Sequence, residues 1–112
     1  MLLVLFRPDC PQCESELARL ERVCAEVPAE KLDCMALSLS SEEQTYAWSR
    51  TQTFRRLTIA VSVDSAFAEQ HRDWLVAVPL VFLITEQGMI HDRRAGERSQ
   101  EYTLARVREF VQ

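Results

Sequence analysis

The chain opens on an unbroken apolar run, Leu2-Leu3-Val4-Leu5-Phe6. The run is too short for a helix and gives way to Arg7-Pro8-Asp9, so it predicts a buried strand ending in a turn. Beyond the turn the period changes. Cys13, Leu17, Leu20, Cys24 and Val27 recur at intervals of four, three, four and three, which is one stripe of an amphipathic helix. That helix starts at Cys10, with Pro11 in the first helical position, where a missing N–H costs nothing, and Pro28 ends it. Leu32 to Leu39 is a second sheet-like run. Ser40, Ser41, Glu43 and Gln44 form a capping-box start for a helix over 42–51. Leu57 to Val63 predicts a strand or extended segment, and Asp64-Ser65 begins a short helix to His71. Leu80 to Ile84, preceded by Val78-Pro79, is a strongly apolar strand. Thr85-Glu86-Gln87-Gly88 makes a hairpin turn, and Met89 to Arg94 returns as a strand that Gly96 stops. Glu101 to Val111 is a helix with Leu104, Val107 and Val111 on one face.

In sequence the elements read β-α-β-α-(β)-α-β-β-α. Helices alternate with buried strands at first, which implies parallel pairing, and the short turn makes the last two strands antiparallel. The fold class is therefore α/β: three layers, with a mixed parallel/antiparallel sheet of about four to five strands and helices on both faces. At 112 residues the chain fits a single domain over residues 1–112, and its 47% hydrophobic content is enough for a core. No apolar run approaches the roughly 20 residues of a membrane span. The first run is shorter than a signal core of roughly 7 to 15 residues and lacks a basic flank. The chain as it stands is thus expected in the cytoplasm, or in the periplasm or another extracytoplasmic space if a leader or anchor has been removed. A formal charge of −4 argues against a nucleic-acid surface. Arg55-Arg56 and Arg93-Arg94-Arg98 have acids interspersed nearby and are expected on solvated faces.

Chemistry concentrates at Cys10-Pro11-Gln12-Cys13, a CxxC pair at a strand-to-helix junction. Cys13 shares the buried stripe, whereas Cys10 lies outside the first turn. Cys10 is therefore the expected attacking thiol and Cys13 the resolving one. Unpaired N–H groups and the macrodipole at the helix start favour a Cys10 thiolate; Asp9 opposes this and Arg7 offsets Asp9. A structural zinc half-site is the competing reading, but zinc needs about four ligands, and Cys24, Cys34, His71 and His91 are singly placed. Cys24 and Cys34 are expected as small apolar filler, with a second disulfide between them or a thiol relay to Cys13 as alternatives. His71 and His91 read as surface or partly packed residues, and Trp48 and Trp74 as packing.

The pattern resembles the thioredoxin-like thiol–disulfide oxidoreductases, above all their TlpA/ResA-type branch. Val4-Leu5-Phe6 precedes Cys10-Pro11-Gln12-Cys13, and about 65 residues later Val78-Pro79 leads into Leu80-Val81-Phe82-Leu83-Ile84. Thr85-Glu86-Gln87-Gly88-Met89-Ile90 with Arg94-Ala95-Gly96 matches the branch's hairpin and glycine. Ala60-Val61-Ser62-Val63-Asp64 matches its inserted segment. The resemblance implies a cis Val78–Pro79 bond lying against the CxxC, with Val78 and Pro79 binding an extended segment of a protein dithiol or disulfide partner. It implies no organic cofactor and no metal. Two departures stand out. Arg7-Pro8-Asp9 replaces the usual tryptophan-bearing loop, and with Lys31 the only lysine and no acid in the first strand, the thioredoxin acid–lysine pair is missing; Glu14 is expected in solvent. Two rival readings remain: a peroxiredoxin-related thiol peroxidase, disfavoured because no Thr-x-x-Cys pattern surrounds Cys10, and a non-enzymatic binding module with a metal-binding CxxC.

Overall fold

The computed structural model describes residues 1–61, 70 and 78–112. Its strands are β1 (Leu2–Phe6), β2 (Cys34–Ser38), β3 (Leu57–Val61), β4 (Leu80–Ile84) and β5 (Ile90–Ala95). Its helices are α1 (Pro11–Ala25), α2 (Glu42–Ser49) and α3 (Gln100–Val111). The strands form one sheet in the order β3-β2-β1-β4-β5. β1, β2 and β3 are parallel, β4 runs antiparallel to β1, and β5 antiparallel to β4. The expected mixed α/β sheet is thus the observed one, with five strands. The helix expected from Asp64 to His71, the end of the third run at Ser62-Val63, and Trp74 lie outside the described residues.

β1 is the middle strand, which is why its sequence is apolar throughout rather than alternating. Leu2, Val4 and Phe6 join the core beneath α1, together with Cys13, Leu17, Leu20 and Val23 of the helix and Val107 of α3. Leu5 points the other way, into a second cluster with Leu80 and Phe82. α1 and α3 pack against each other. α2 is held by Trp48, whose ring lies 5.0 Å from Phe6 and 6.2 Å from Phe54, and by a buried hydroxyl pair, Ser38 and Thr45, at 2.7 Å. Trp48 is packing, as its sequence setting suggested.

Local chemistry sets the ends of these elements. Ser41 and Ser99 are N-caps whose hydroxyls accept from the backbone N–H of Gln44 and Tyr102. α2 stops at Ser49, two residues before the predicted end; the N–H of Thr51 donates to the Trp48 carbonyl three residues back, which tightens the last turn. The β4–β5 hairpin closes at Gly88, where φ is +84°. Such a backbone suits glycine, which has no Cβ to clash. β5 lies at one edge of the sheet. Its charged residues discourage pairing with a further strand. Among the described residues no helix is long and apolar enough to cross a membrane.

Leu17 is fully buried in the middle of the α1 stripe. Leu17→Ala removes its packing and leaves a cavity, so urea denaturation is expected to show about 2–5 kcal/mol less stability. A loss below about 1 kcal/mol would mean that the stripe does not anchor the helix.

Candidate redox site

Phe6 ends β1, and Arg7-Pro8-Asp9 carries the chain to the start of α1. Cys10 is the helix N-cap, with φ −111° and ψ 107°, and its sulfur accepts the backbone N–H of Cys13 at 3.1 Å. A sulfur in the capping place takes the role that a serine or aspartate oxygen usually fills. The N–H of Glu14 donates to the Cys10 carbonyl at 3.1 Å, and the N–H of Cys10 to Arg7 at 3.3 Å. Cys10 and Cys13 are disulfide-bonded, their Cα atoms 5.1 Å apart. The two sulfur-bearing residues are unlike: Cys13 is fully buried, and Cys10 only half so. This is the asymmetry that the helix stripe predicted. Arg7 and Asp9 pair with each other at 3.3 Å, so their opposing charges largely cancel beside Cys10. Glu14 is exposed, as expected.

The Val78–Pro79 bond is cis, as the resemblance implied. Sheet register explains why this dipeptide comes to the CxxC end. Leu5 at the finish of β1 faces Leu80 at the start of antiparallel β4, so the chain entering β4 and the chain leaving β1 share one edge. Pro79 is buried, and its carbonyl accepts the N–H of Gly96 at 2.8 Å. Gly96 has φ +79°, which a residue with a side chain adopts only under strain. Val78 and Cys10 are both partly buried and pack against the same core cluster. All four predicted residues, Cys10, Cys13, Val78 and Pro79, therefore gather at this end of the fold.

One residue of this region escaped the sequence reading. Glu16, one turn beyond Cys13, is completely buried. Its two oxygens accept from Arg19 Nε at 3.0 Å and from Arg94 at 2.9 Å. Arg94 also donates to Thr103 Oγ1 on α3 at 2.7 Å, and Arg19 reaches Glu97 at 2.5 Å. Hydrogen bonding to Glu97, with Glu16 adding to it, holds the Arg19 guanidinium above its ordinary range. The available signal was spacing, since Glu16 lies three positions after Cys13 and four before Leu20, inside the apolar arc. The solvated reading of the arginines is corrected accordingly. Arg94 is opposite Val81 on the helix-covered face, where the buried Glu16 needs a partner. Arg93 and Arg98 are exposed.

Arg56 needs the same correction. Its guanidinium donates to the carbonyls of Cys24, Val27 (2.6 Å) and Leu32 (3.1 Å), at the negative end of the α1 dipole. Arg55 is exposed. Cys24 and Cys34 are not merely filler. They form a second disulfide with Cα atoms 6.8 Å apart, the alternative raised by their burial. A relay to Cys13 is excluded by distance, because Cys24 lies 11 positions after Cys13 along α1, about 16 Å of helix. His91 is exposed and lies 5.2 Å from the Phe110 ring, and His71 falls outside the described residues. Among the described residues no three His, Cys, Asp or Glu side chains cluster to hold a metal ion.

A mixed sheet with a CxxC at the start of its first helix and a cis-proline before β4 defines a thioredoxin-like fold of TlpA/ResA type. The AhpC/TSA family model matches residues 1–93, and the chain belongs to that family. No curated protein matches the sequence. Solved structures do match in fold. A putative thiol:disulfide interchange protein DsbE from Chlorobium tepidum superposes with TM-score 0.82 at 15% identity, over 99% of this chain and 79% of that one. The exposed lipoprotein thioredoxin of Streptococcus pneumoniae gives 0.79 at 15% identity, over 96% and 82%. StoA from Bacillus subtilis gives 0.71 at 17% identity, over 93% and 78%.

Glu16→Ala would strand Arg94 beneath α1. We expect it to lower unfolding free energy by about 3–5 kcal/mol, and Glu16→Leu combined with Arg94→Met to recover most of that loss. Urea denaturation of the three proteins is the check. Equal stability of Glu16→Ala and wild type would show that the ion pair does not tie α1 to β5.

Proposed function

We propose that the protein is a thiol–disulfide oxidoreductase that exchanges a disulfide with a protein partner through Cys10 and Cys13. The observation that carries the reading is Cys10 at the helix N-cap, bonded to a fully buried Cys13. In the reduced protein the Cys13 N–H is placed to hold a Cys10 thiolate. That thiolate attacks one sulfur of the partner disulfide, forming a mixed disulfide and expelling the other partner sulfur as a thiolate. Cys13, having given up its proton to solvent or a base, then attacks Cys10 Sγ. The Cys10–Cys13 bond forms, the mixed bond breaks, and the second partner sulfur leaves as a thiolate. Two electrons pass to the partner; run backwards, the same steps oxidise a partner dithiol. The backbone at Val78, next to the cis bond to Pro79, is the docking edge for an extended partner segment. No cofactor enters any step. Support also comes from the thioredoxin-like fold and from the redox proteins that share it.

Cys10→Ser is expected to abolish turnover of a disulfide-bonded protein substrate, and Cys13→Ser to accumulate a covalent mixed disulfide through Cys10, read by non-reducing electrophoresis and mass mapping. Wild-type turnover by Cys10→Ser overturns the assignment. So does peroxide consumption faster than disulfide exchange, which would mark a thiol peroxidase, or a zinc equivalent bound by the CxxC and lost on Cys10 substitution.

A further inference from the structure

The second disulfide takes no part in that cycle, and its setting gives it a different character. Cys24 lies in the last turn of α1 and is fully buried; Cys34 opens β2 and is 6% exposed. Cys34 is opposite Leu2 on one side and Leu57 on the other, in the interior of the sheet. The loop that the bond closes is fastened independently of it. Arg56 donates to the carbonyls of Cys24, Val27 and Leu32, which spans the loop from end to end. The Glu21 carboxylate in turn accepts the backbone N–H groups of Arg56 at 3.0 Å and Leu57 at 3.0 Å. Val27 and Leu32 are buried in the core.

We infer that Cys24–Cys34 is a permanent covalent brace, formed as the chain folds in an oxidising compartment and left intact while Cys10–Cys13 cycles. Two properties of the site lead there. Cys24 is fully buried and Cys34 nearly so, which hinders attack by a thiolate and slows exchange with partner or small thiols. If the bond were opened, Arg56, Glu21 and the packed loop would hold the two thiols together, so closing it again costs little ordering and the disulfide is favoured over the dithiol. Forming the brace oxidises two thiols to one disulfide; the two electrons and two protons go to a disulfide-bonded oxidant, which leaves as a dithiol. A bond of this kind is rare in compartments kept reducing by thiol buffers. The reduced working form of the protein accordingly keeps one disulfide and carries two free thiols, those of Cys10 and Cys13.

The brace stands without the proposed function; only the naming of Cys10–Cys13 as the cycling pair rests on it. The test is a titration of the whole protein with dithiothreitol redox buffers, quenched in acid and labelled with a thiol-specific mass tag, each cysteine being assigned by peptide mapping. The expected outcome is that Cys10 and Cys13 take label first, and that Cys24 and Cys34 require at least about a 100-fold larger ratio of reduced to oxidised dithiothreitol. Labelling of Cys24 and Cys34 at the low ratios that open a labile disulfide, whether together with Cys10 and Cys13 or before them, overturns the brace. The same titration of a Cys10→Ser/Cys13→Ser variant isolates the second pair. Resistance retained there, with no labile pair seen in wild type, would sink the proposed function and leave the brace standing. A Cys24→Ala/Cys34→Ala variant is expected to melt about 10 °C or more below wild type, and an unchanged melting temperature would contradict a structural role.

Discussion

The hydrogen bond from the Cys13 amide to the Cys10 sulfur is the contact on which the rest of the site depends. It starts the helix, because a helix end leaves backbone donors that something must satisfy. It also separates the two sulfurs. The capping position lies outside the helix, half in solvent, and the residue three places on is drawn under the helix into the core. One backbone geometry therefore produces both the helix start and the inequality between two chemically identical thiols. The Cys13 amide that donates to the Cys10 sulfur in the disulfide is placed to donate more strongly to a Cys10 thiolate, so the cap persists through the proposed cycle.

A helix that carries such a site must be held still, and α1 is held by two unlike devices. Near its head, the buried Glu16 carboxylate is gripped by Arg94 of β5 and Arg19 of the next turn. β5 continues to Gly96, whose N–H fixes the carbonyl of Pro79. The CxxC helix and the cis-proline are thereby joined through one strand, although no residue of that strand takes part in the proposed exchange. Toward its tail, the Cys24–Cys34 bond, Arg56 and Glu21 fasten the helix to β2 and to the start of β3. A buried ion pair contributes little net stability over apolar packing but is costly to break on one side, which suits a tie that fixes position.

The sequence displays the fold plainly wherever period and punctuation agree. The five-residue runs of β1 and β4, the α1 stripe, the Ser41 cap and the Gly88 turn are all legible because each rests on local chemistry that tertiary contacts leave unaltered. The CxxC and Val78-Pro79 are equally legible from spacing and order. What escaped depends on pairing across the fold. Glu16 looks like a surface acid until Arg94, 78 positions away, is brought against it. Arg56 looks like half of a solvated arginine pair until three carbonyls converge on it. Burial alone marks Cys24 and Cys34 as core residues, and only the packing of α1 on β2 makes them partners.

In the proposed cycle the helix start makes Cys10, and not Cys13, the nucleophile. The most direct test is competitive alkylation of the fully reduced CxxC at neutral pH, with reagent below one equivalent and the label located by peptide mapping. Cys10 is expected to take at least about tenfold more label than Cys13. Equal labelling, or a preference for Cys13, would contradict that assignment.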